Sequence, residues 1–180
     1  MEDNSRDSNH RRYPGKNRII LIVALLAVGL AAGTALGVVK ASENPSFCTV
    51  CHIMKPYYQS WDDSCMLAHA HAEEGLTCHE CHDESLGAKA REGFKYVTGD
   101  YEEPLQPLDF PREDCLECHS DFDEVIASTD HGGGENPHDS PHWKDMDCTM
   151  CHSMHGQSQV YCTQCHDFEW AKNLDENWND

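Results

Sequence analysis

Five copies of the pattern Cys-x-x-Cys-His punctuate this chain: CTVCH at 48–52, CHECH at 78–82, CLECH at 115–119, CTMCH at 148–152 and CTQCH at 162–166. The pattern is the attachment signature of a c-type haem. Its two thiols (Cys48 and Cys51, Cys78 and Cys81, Cys115 and Cys118, Cys148 and Cys151, Cys162 and Cys165) form thioethers with the porphyrin vinyl groups. The adjacent histidine lies under the ring, where it can bind iron. The expected cofactors are five covalently attached haem c groups. Such a load also restricts the fold. The region after residue 40 is short and poor in long apolar runs, so it cannot build an ordinary core. The porphyrins take that place. The expected fold class is a multihaem cytochrome c: short helices and loops wrapped around haems, with almost no strand.

Two other uses of paired cysteines fit less well. A zinc ribbon builds one tetrahedral site from two pairs, and five pairs do not divide into twos. Disulfides suit an oxidising compartment but do not explain a histidine after every pair. The eleventh cysteine, Cys65, reads as a buried small hydrophobe.

Residues 19–39 contain no charged side chain and are long enough to span a bilayer as a helix. Arg11, Arg12, Lys16 and Arg18 precede them, a bias that keeps the N-terminus in the cytoplasm and sends the rest outside. The apolar core is longer than that of a typical cleaved signal, so it reads as a retained anchor. Residues 1–18 are then cytoplasmic, 19–39 transmembrane, and 40–180 an exported pentahaem domain on the extracytoplasmic side of the cell membrane. Gly29, Gly33 and Gly37 form a small-residue stripe that would let another helix approach the backbone.

The net charge is −19, which makes nucleic acid an implausible partner. The acidity either steers a basic docking surface on another redox protein or simply solubilises. The acidic tail from Asp167 carries Trp170 and Trp178. It can pack on the last haem, touch a partner or fray. Helices are expected over residues 54–74 (stopped by Gly75), 85–97 and 120–128, the last with Ser120 as N-cap. A Gly- and Pro-marked loop covers 131–141.

His52, His82, His119, His152 and His166 each offer one axial ligand to their own motif's iron. Low-spin electron-transfer haems want a second. The region after the anchor has seven further histidines: His69, His71, His79, His131, His138, His142 and His155. His69 and His71 are two apart on an expected helix and point to different sides. One of them can reach the haem of Cys78 and Cys81. A distal ligand at His155, three residues after His152, would belong to a different haem from His152, and His138 and His142, on the loop before the fourth motif, can do the same. His79 is held inside a motif and is set aside. His131 is undecided.

The stretch CTVCHIMKP at 48–56, with Trp61, Ser64, His69 and His71, resembles the NapC/NirT quinol dehydrogenases. Residues 40–82 carry that likeness. In some relatives the methionine, not the motif histidine, binds the first haem iron, a role that falls on Met54 here with His52 as the alternative. The resemblance also places a lysine and an aspartate near the quinol, which points to Lys95 and Asp100. Residues 76–170 are similar to the tetrahaem domain of flavocytochrome fumarate reductases. NPHDSPHWKDMDCTMCHSMHGQSQVYCTQCHDF at 136–168 is the strongest part, and it implies His138, His142 and His155 as distal ligands. That family fuses its haems to a flavin domain, which the present sequence does not contain, so an FAD-containing reductase would be a separate, exported subunit.

Together these features imply a membrane-anchored electron-transfer subunit of anaerobic respiration. It would oxidise membrane menaquinol and feed an exported terminal reductase without itself being that reductase. The alternatives are a tethered wire fed by another cytochrome, or a donor to a multihaem nitrite reductase.

Overall fold

The computed structural model describes residues 15–83, 85–119, 121–130, 135–141 and 146–179. Arg11, Arg12, Ser120, His131 and His142, all named above, lie outside the described residues. The chain divides into two compact units, one ending at Asn44 and one beginning at Pro45.

Among its described residues the first unit has one helix, α1 (Lys16–Ala41), which contains the whole apolar stretch expected to span a membrane. Its mean hydropathy of 2.7 and its 26 residues suffice to cross a bilayer. It is apolar all round, as a helix facing lipid should be. Thr34 satisfies its hydroxyl on the carbonyls of Leu30 and Ala31, so no polar group is left bare there. A Cβ built on Gly29, Gly33 or Gly37 would meet nothing within 4 Å.

The second unit is a succession of short helices: α2 (Lys55–Asp62), α3 (Leu67–Glu73), α4 (Cys78–Cys81), α5 (Leu86–Thr98), α6 (Arg112–Leu116) and α7 (Phe122–Ser128), with single 3-10 turns around the motifs. Among the described residues the one element of strand character is an isolated parallel bridge between Ser158 and Trp178. The fold class is thus as expected.

Three local expectations need correction. The helix expected over 54–74 is two helices. Asp63 is extended (φ −156°, ψ 96°), and Ser64 Oγ accepts from the Met66 amide at 3.0 Å, a local cap that competes with helix continuation. The N-cap of α7 is Asp121, which accepts from the Glu124 amide at 2.9 Å, rather than Ser120. Cys65 is exposed, not buried; its thiol donates to the Glu176 carbonyl at 3.7 Å. By contrast α5 begins and ends where its sequence says. Ser85 accepts from the Ala88 amide at 3.2 Å, and Gly99 closes the helix in the left-handed region (φ 76°) that glycine adopts freely.

The second unit has almost no apolar core. Among the described residues the buried apolar side chains are Ile53, Ala68 and Val160. Long-range polar ties knit the segments instead. The Trp61 indole donates to the Leu76 carbonyl at 3.0 Å. The Ala68 amide donates to Met154 at 3.0 Å, and the Arg112 amide to Asp147 at 3.0 Å. The C-terminal tail is pinned by amides of Ser158 and Asn179, each donating at 2.8 Å across the bridge. So few buried apolar groups cannot offset the chain's conformational entropy.

Ser85→Ala removes the N-cap of α5 and should cost about 1 kcal/mol. Chemical denaturation of the intact protein checks this, and Ser85→Asp should restore the loss.

Candidate haem sites

The first cysteine of each motif lies in a short helix or 3-10 turn, and in four of the five motifs the second follows just after the end of that element. Among the described residues no group of three or more His, Cys, Asp or Glu side chains converges as a metal cage. None of the cysteines is in a disulfide.

Thiols of successive motifs are neighbours. Before any thioether forms, a hydrogen bond with Cys78 holds the Cys48 thiol down to about 6 against its burial. The same contact pushes Cys78 up. Burial raises Cys81, with Glu80 and Cys118 adding to it. Cys115 is pushed up to about 11 by burial and by Cys148. Burial raises Cys151, and Cys162 contributes. The first motif therefore lies beside the second, the second beside the third, the third beside the fourth and the fourth beside the fifth. Order along the chain is order in space.

Three motif histidines face a second imidazole. His82 and His155 have ring centroids 6.3 Å apart. His138 and His152 are 6.0 Å apart and nearly parallel, at 6°. His71 and His119 are also 6.0 Å apart, edge-on at 84°. These distances are too long for face-to-face contact. A metal–nitrogen bond is about 2 Å and a ring centroid lies roughly 1 Å behind its nitrogen, so two imidazoles on one metal sit about 6 Å apart. The residues fit axial pairs.

Four candidate distal histidines are also oriented alike. His69 Nδ1–H donates to the Trp61 carbonyl at 2.9 Å. His71 Nδ1–H donates to the Leu67 carbonyl at 2.8 Å. Ser60 Oγ donates to Tyr57 at 2.7 Å, so it accepts from His155 Nδ1–H, also at 2.7 Å. Thr129 Oγ1 donates to Val125 at 2.7 Å, so it accepts from His138 Nδ1–H at 3.0 Å. In each ring the proton is fixed on Nδ1, which leaves Nε2 as the basic nitrogen, as in metal-ligating histidines generally. His79 is the opposite case, because Lys89 Nζ donates to its Nδ1 at 3.1 Å.

The first motif differs. His52 Nδ1 meets the Tyr96 hydroxyl at 3.0 Å, and its Nε2 is 3.7 Å from the Glu103 carboxylate. Both ring nitrogens of His52 are therefore engaged by side chains. Tyr96 stacks on Tyr101 at 5.5 Å. Met54 ends the 3-10 turn His52–Met54. Lys95 and Asp100 flank the end of α5, tied by the Asp100 amide to the Lys95 carbonyl at 2.9 Å.

At the fifth motif the aromatic side chains of His166, Phe168 and Trp170 stack in series, at 5.6 Å and 5.3 Å. Trp170 and Cys162 share the wall of a cavity of about 400 Å³. The Trp170 indole N–H is buried and unpaired among the described residues. A porphyrin propionate is the kind of acceptor such a donor needs. The tail does not fray: Trp178 packs edge-on to His152 at 5.3 Å.

Comparison with known proteins now fits this geometry. A model of the cytochrome c3 family matches residues 70–167, and one of the NapC/NirT cytochrome c family, N-terminal region, matches residues 13–97. The chain is a multihaem c-type cytochrome of these families. The cytochrome is 31% identical to the cytochrome c-type protein Cgr1 of Eggerthella lenta over 188 residues, covering 87% of this chain and 83% of that one. It is 24% identical to the cytochrome c-type protein NrfH of Wolinella succinogenes, covering 84% and 85%. It is 29% identical to the acrylate reductase cytochrome subunit of Shewanella woodyi, covering 54% and 69%. No solved structure matches. Members of the NapC/NirT family are membrane-anchored, and the cytochrome carries one helix able to serve as the anchor. It binds haem c covalently and transfers electrons.

Sequence reasoning named the candidate ligands but not the residues that aim them. Tyr57, Ser60, Tyr96, Glu103, Thr129 and Trp178 carry no motif, and their contacts span up to 95 positions. The ring facing His82 is that of His155, not of His69 or His71.

Ser60→Ala should leave the haem load unchanged and shift the g-values of one low-spin signal in the electron paramagnetic resonance spectrum. Burial lowers His138, His152 and His155 below the usual 6.5, with neighbouring histidines adding to it for the last two. Coordination to iron would hold these rings neutral just as burial does, so the unfolded chain takes up protons that the folded chain refuses. Stability should fall as pH drops from about 7 to about 5, and less steeply in His155→Ala. Denaturation midpoints across that range measure both.

Proposed function

We propose that this cytochrome is a quinol-oxidising subunit whose haem-bearing unit lies outside the cytoplasmic membrane. It takes electrons from membrane menaquinol and delivers them to a separate exported reductase, most simply a flavoprotein. The observation that carries this reading is the spatial sequence of attachment sites, which begins at the motif nearest the anchor in the chain and ends at Cys162 and Cys165. Bound haem supplies one-electron chemistry, and closely set rings relay electrons between neighbours.

The protein's own groups hold and tune those sites. His82 with His155, His119 with His71 and His152 with His138 are the proposed axial pairs. His166 serves the fifth site, and His142, which the resemblance implies as a distal ligand, is its proposed partner. Met54 is the proposed ligand of the first site, supported by the engagement of His52 with Tyr96 and Glu103. Quinol oxidation releases protons together with electrons, so acid–base groups must stand near the quinol hydroxyls. Lys95 and Asp100 are the proposed groups, close in sequence to Tyr96, which touches the first motif. Five haems follow from the five motifs.

The similarity to a cytochrome c nitrite reductase subunit, NrfH, supports a second reading, donation to a multihaem nitrite reductase. The oxidising half of the mechanism is the same in both.

Purified full-length protein in lipid nanodiscs should be reduced by a menaquinol analogue, seen as growth of the reduced c-haem bands. No reduction, with full reduction by dithionite, would leave only a wire fed by another cytochrome. Asp100→Asn should slow the menaquinol step several-fold and leave reduction by dithionite unchanged. His155→Ala should convert one haem from low to high spin, and an unchanged spectrum would remove His155 from the ligand set.

A further inference from the structure

Helix α5 is turned the wrong way for a soluble protein. Leu86, Ala90, Phe94 and Val97 recur at helical spacing and form one stripe. That stripe faces outward: Leu86 is 63% exposed, Phe94 69% and Val97 81%. The half-buried side chains of the helix are Ala88, Lys89 and Tyr96, on the other side. That inner side makes the contacts with the haem motifs, Tyr96 to His52 at 3.0 Å and Lys89 to His79 at 3.1 Å. The apolar stripe therefore points away from the two attachment sequences nearest to it. It is not a cover for their porphyrins.

Charge distinguishes the same helix. Lys89, Arg91 and Lys95 stand against Glu92 alone, in a chain of net charge −19. Arg91 flanks the stripe, where a long basic side chain can reach headgroups while its stem lies on apolar surface. An outward apolar face bordered by a cation, on a helix of net positive charge, is the pattern of a helix lying in a membrane interface. A membrane is also the natural surface for a chain that carries α1, a helix able to span one.

We propose that α5 lies on the anionic lipid surface of the outer leaflet, with Leu86, Phe94 and Val97 at the acyl boundary and Arg91 among the headgroups. This rests on the quinol reading above and deepens it. A quinol is confined to lipid, and a helix bedded in that lipid by one face while its other face holds His52 brings the first site to the donor.

The test uses the full-length holoprotein in nanodiscs of phosphatidylglycerol carrying a photoreactive acyl chain, with adducts mapped by mass spectrometry. Lipid adducts are expected within residues 86–98 as well as in α1. They should weaken in phosphatidylcholine, and several-fold in Phe94→Asp/Val97→Asp. That double variant should keep its reduction by dithionite and lose most of its reduction by menaquinol. Adducts confined to α1 would overturn the proposal, and so would cross-links joining α5 of two copies. If the double variant does not mature, the wild-type adduct map still decides. Wild-type adducts on α5 without menaquinol reduction would overturn the quinol reading and leave the membrane contact standing. Undiminished menaquinol reduction in the double variant, with no adducts on α5, would do the reverse.

Discussion

Imidazoles set about 6 Å apart are the constraint on which this architecture depends. Each such pair joins segments remote in sequence: His155 returns to the second motif, His71 reaches forward to the third, and His138 meets the fourth. A unit that buries so little apolar side-chain surface needs cross-links of this kind. Coordination to a common metal would turn each facing pair into one. Covalent attachment at the cysteines and coordination at the histidines would then do what a hydrophobic core does elsewhere. This is also why the helices can be so short. Each has only to present a few groups to a ring, not to pack along its length against another helix.

Orientation is supplied one layer out. Backbone carbonyls of Trp61 and Leu67, and hydroxyls of Ser60 and Thr129, take the Nδ1 protons of the distal rings. Those acceptors are themselves fixed by helix geometry, since both hydroxyls donate back to carbonyls of their own helices. The break between α2 and α3 serves the same end. It lets α2 offer Tyr57 and Ser60 to His155 while α3 turns His71 toward His119. The first motif stands apart, because its histidine is held by Tyr96 and Glu103. A site with a different ligand set would have a different potential from the rest, which would be useful in a site that meets a donor.

Much of this was legible in the sequence, and the reason is chemical. Thioether attachment demands Cys-x-x-Cys-His in contiguous sequence, so cofactor type and fold class could be read directly. The anchor was equally plain, because a bilayer requires an uninterrupted apolar run. The extent of α5 was legible to within a residue, because Ser85 and Gly99, which close it, act on their own neighbours. What escaped were choices made across distance. Nothing near Ser60 says that it meets His155, and nothing near Glu103 says that it faces His52. The continuous helix expected over 54–74 failed for a subtler reason: Ser64 can satisfy backbone groups itself, and periodicity does not register that competition. Cys65 was assigned a buried place by residue type alone, whereas it sits on the surface with its thiol on a tail carbonyl.

The intact mass of the protein extracted from membranes tests the central claim most directly. The account predicts the unprocessed anchor-bearing polypeptide plus five haem c groups, with every motif cysteine blocked to alkylation. A mass equal to the bare polypeptide, or free thiols at the motif cysteines with zinc bound in place of iron, would contradict it.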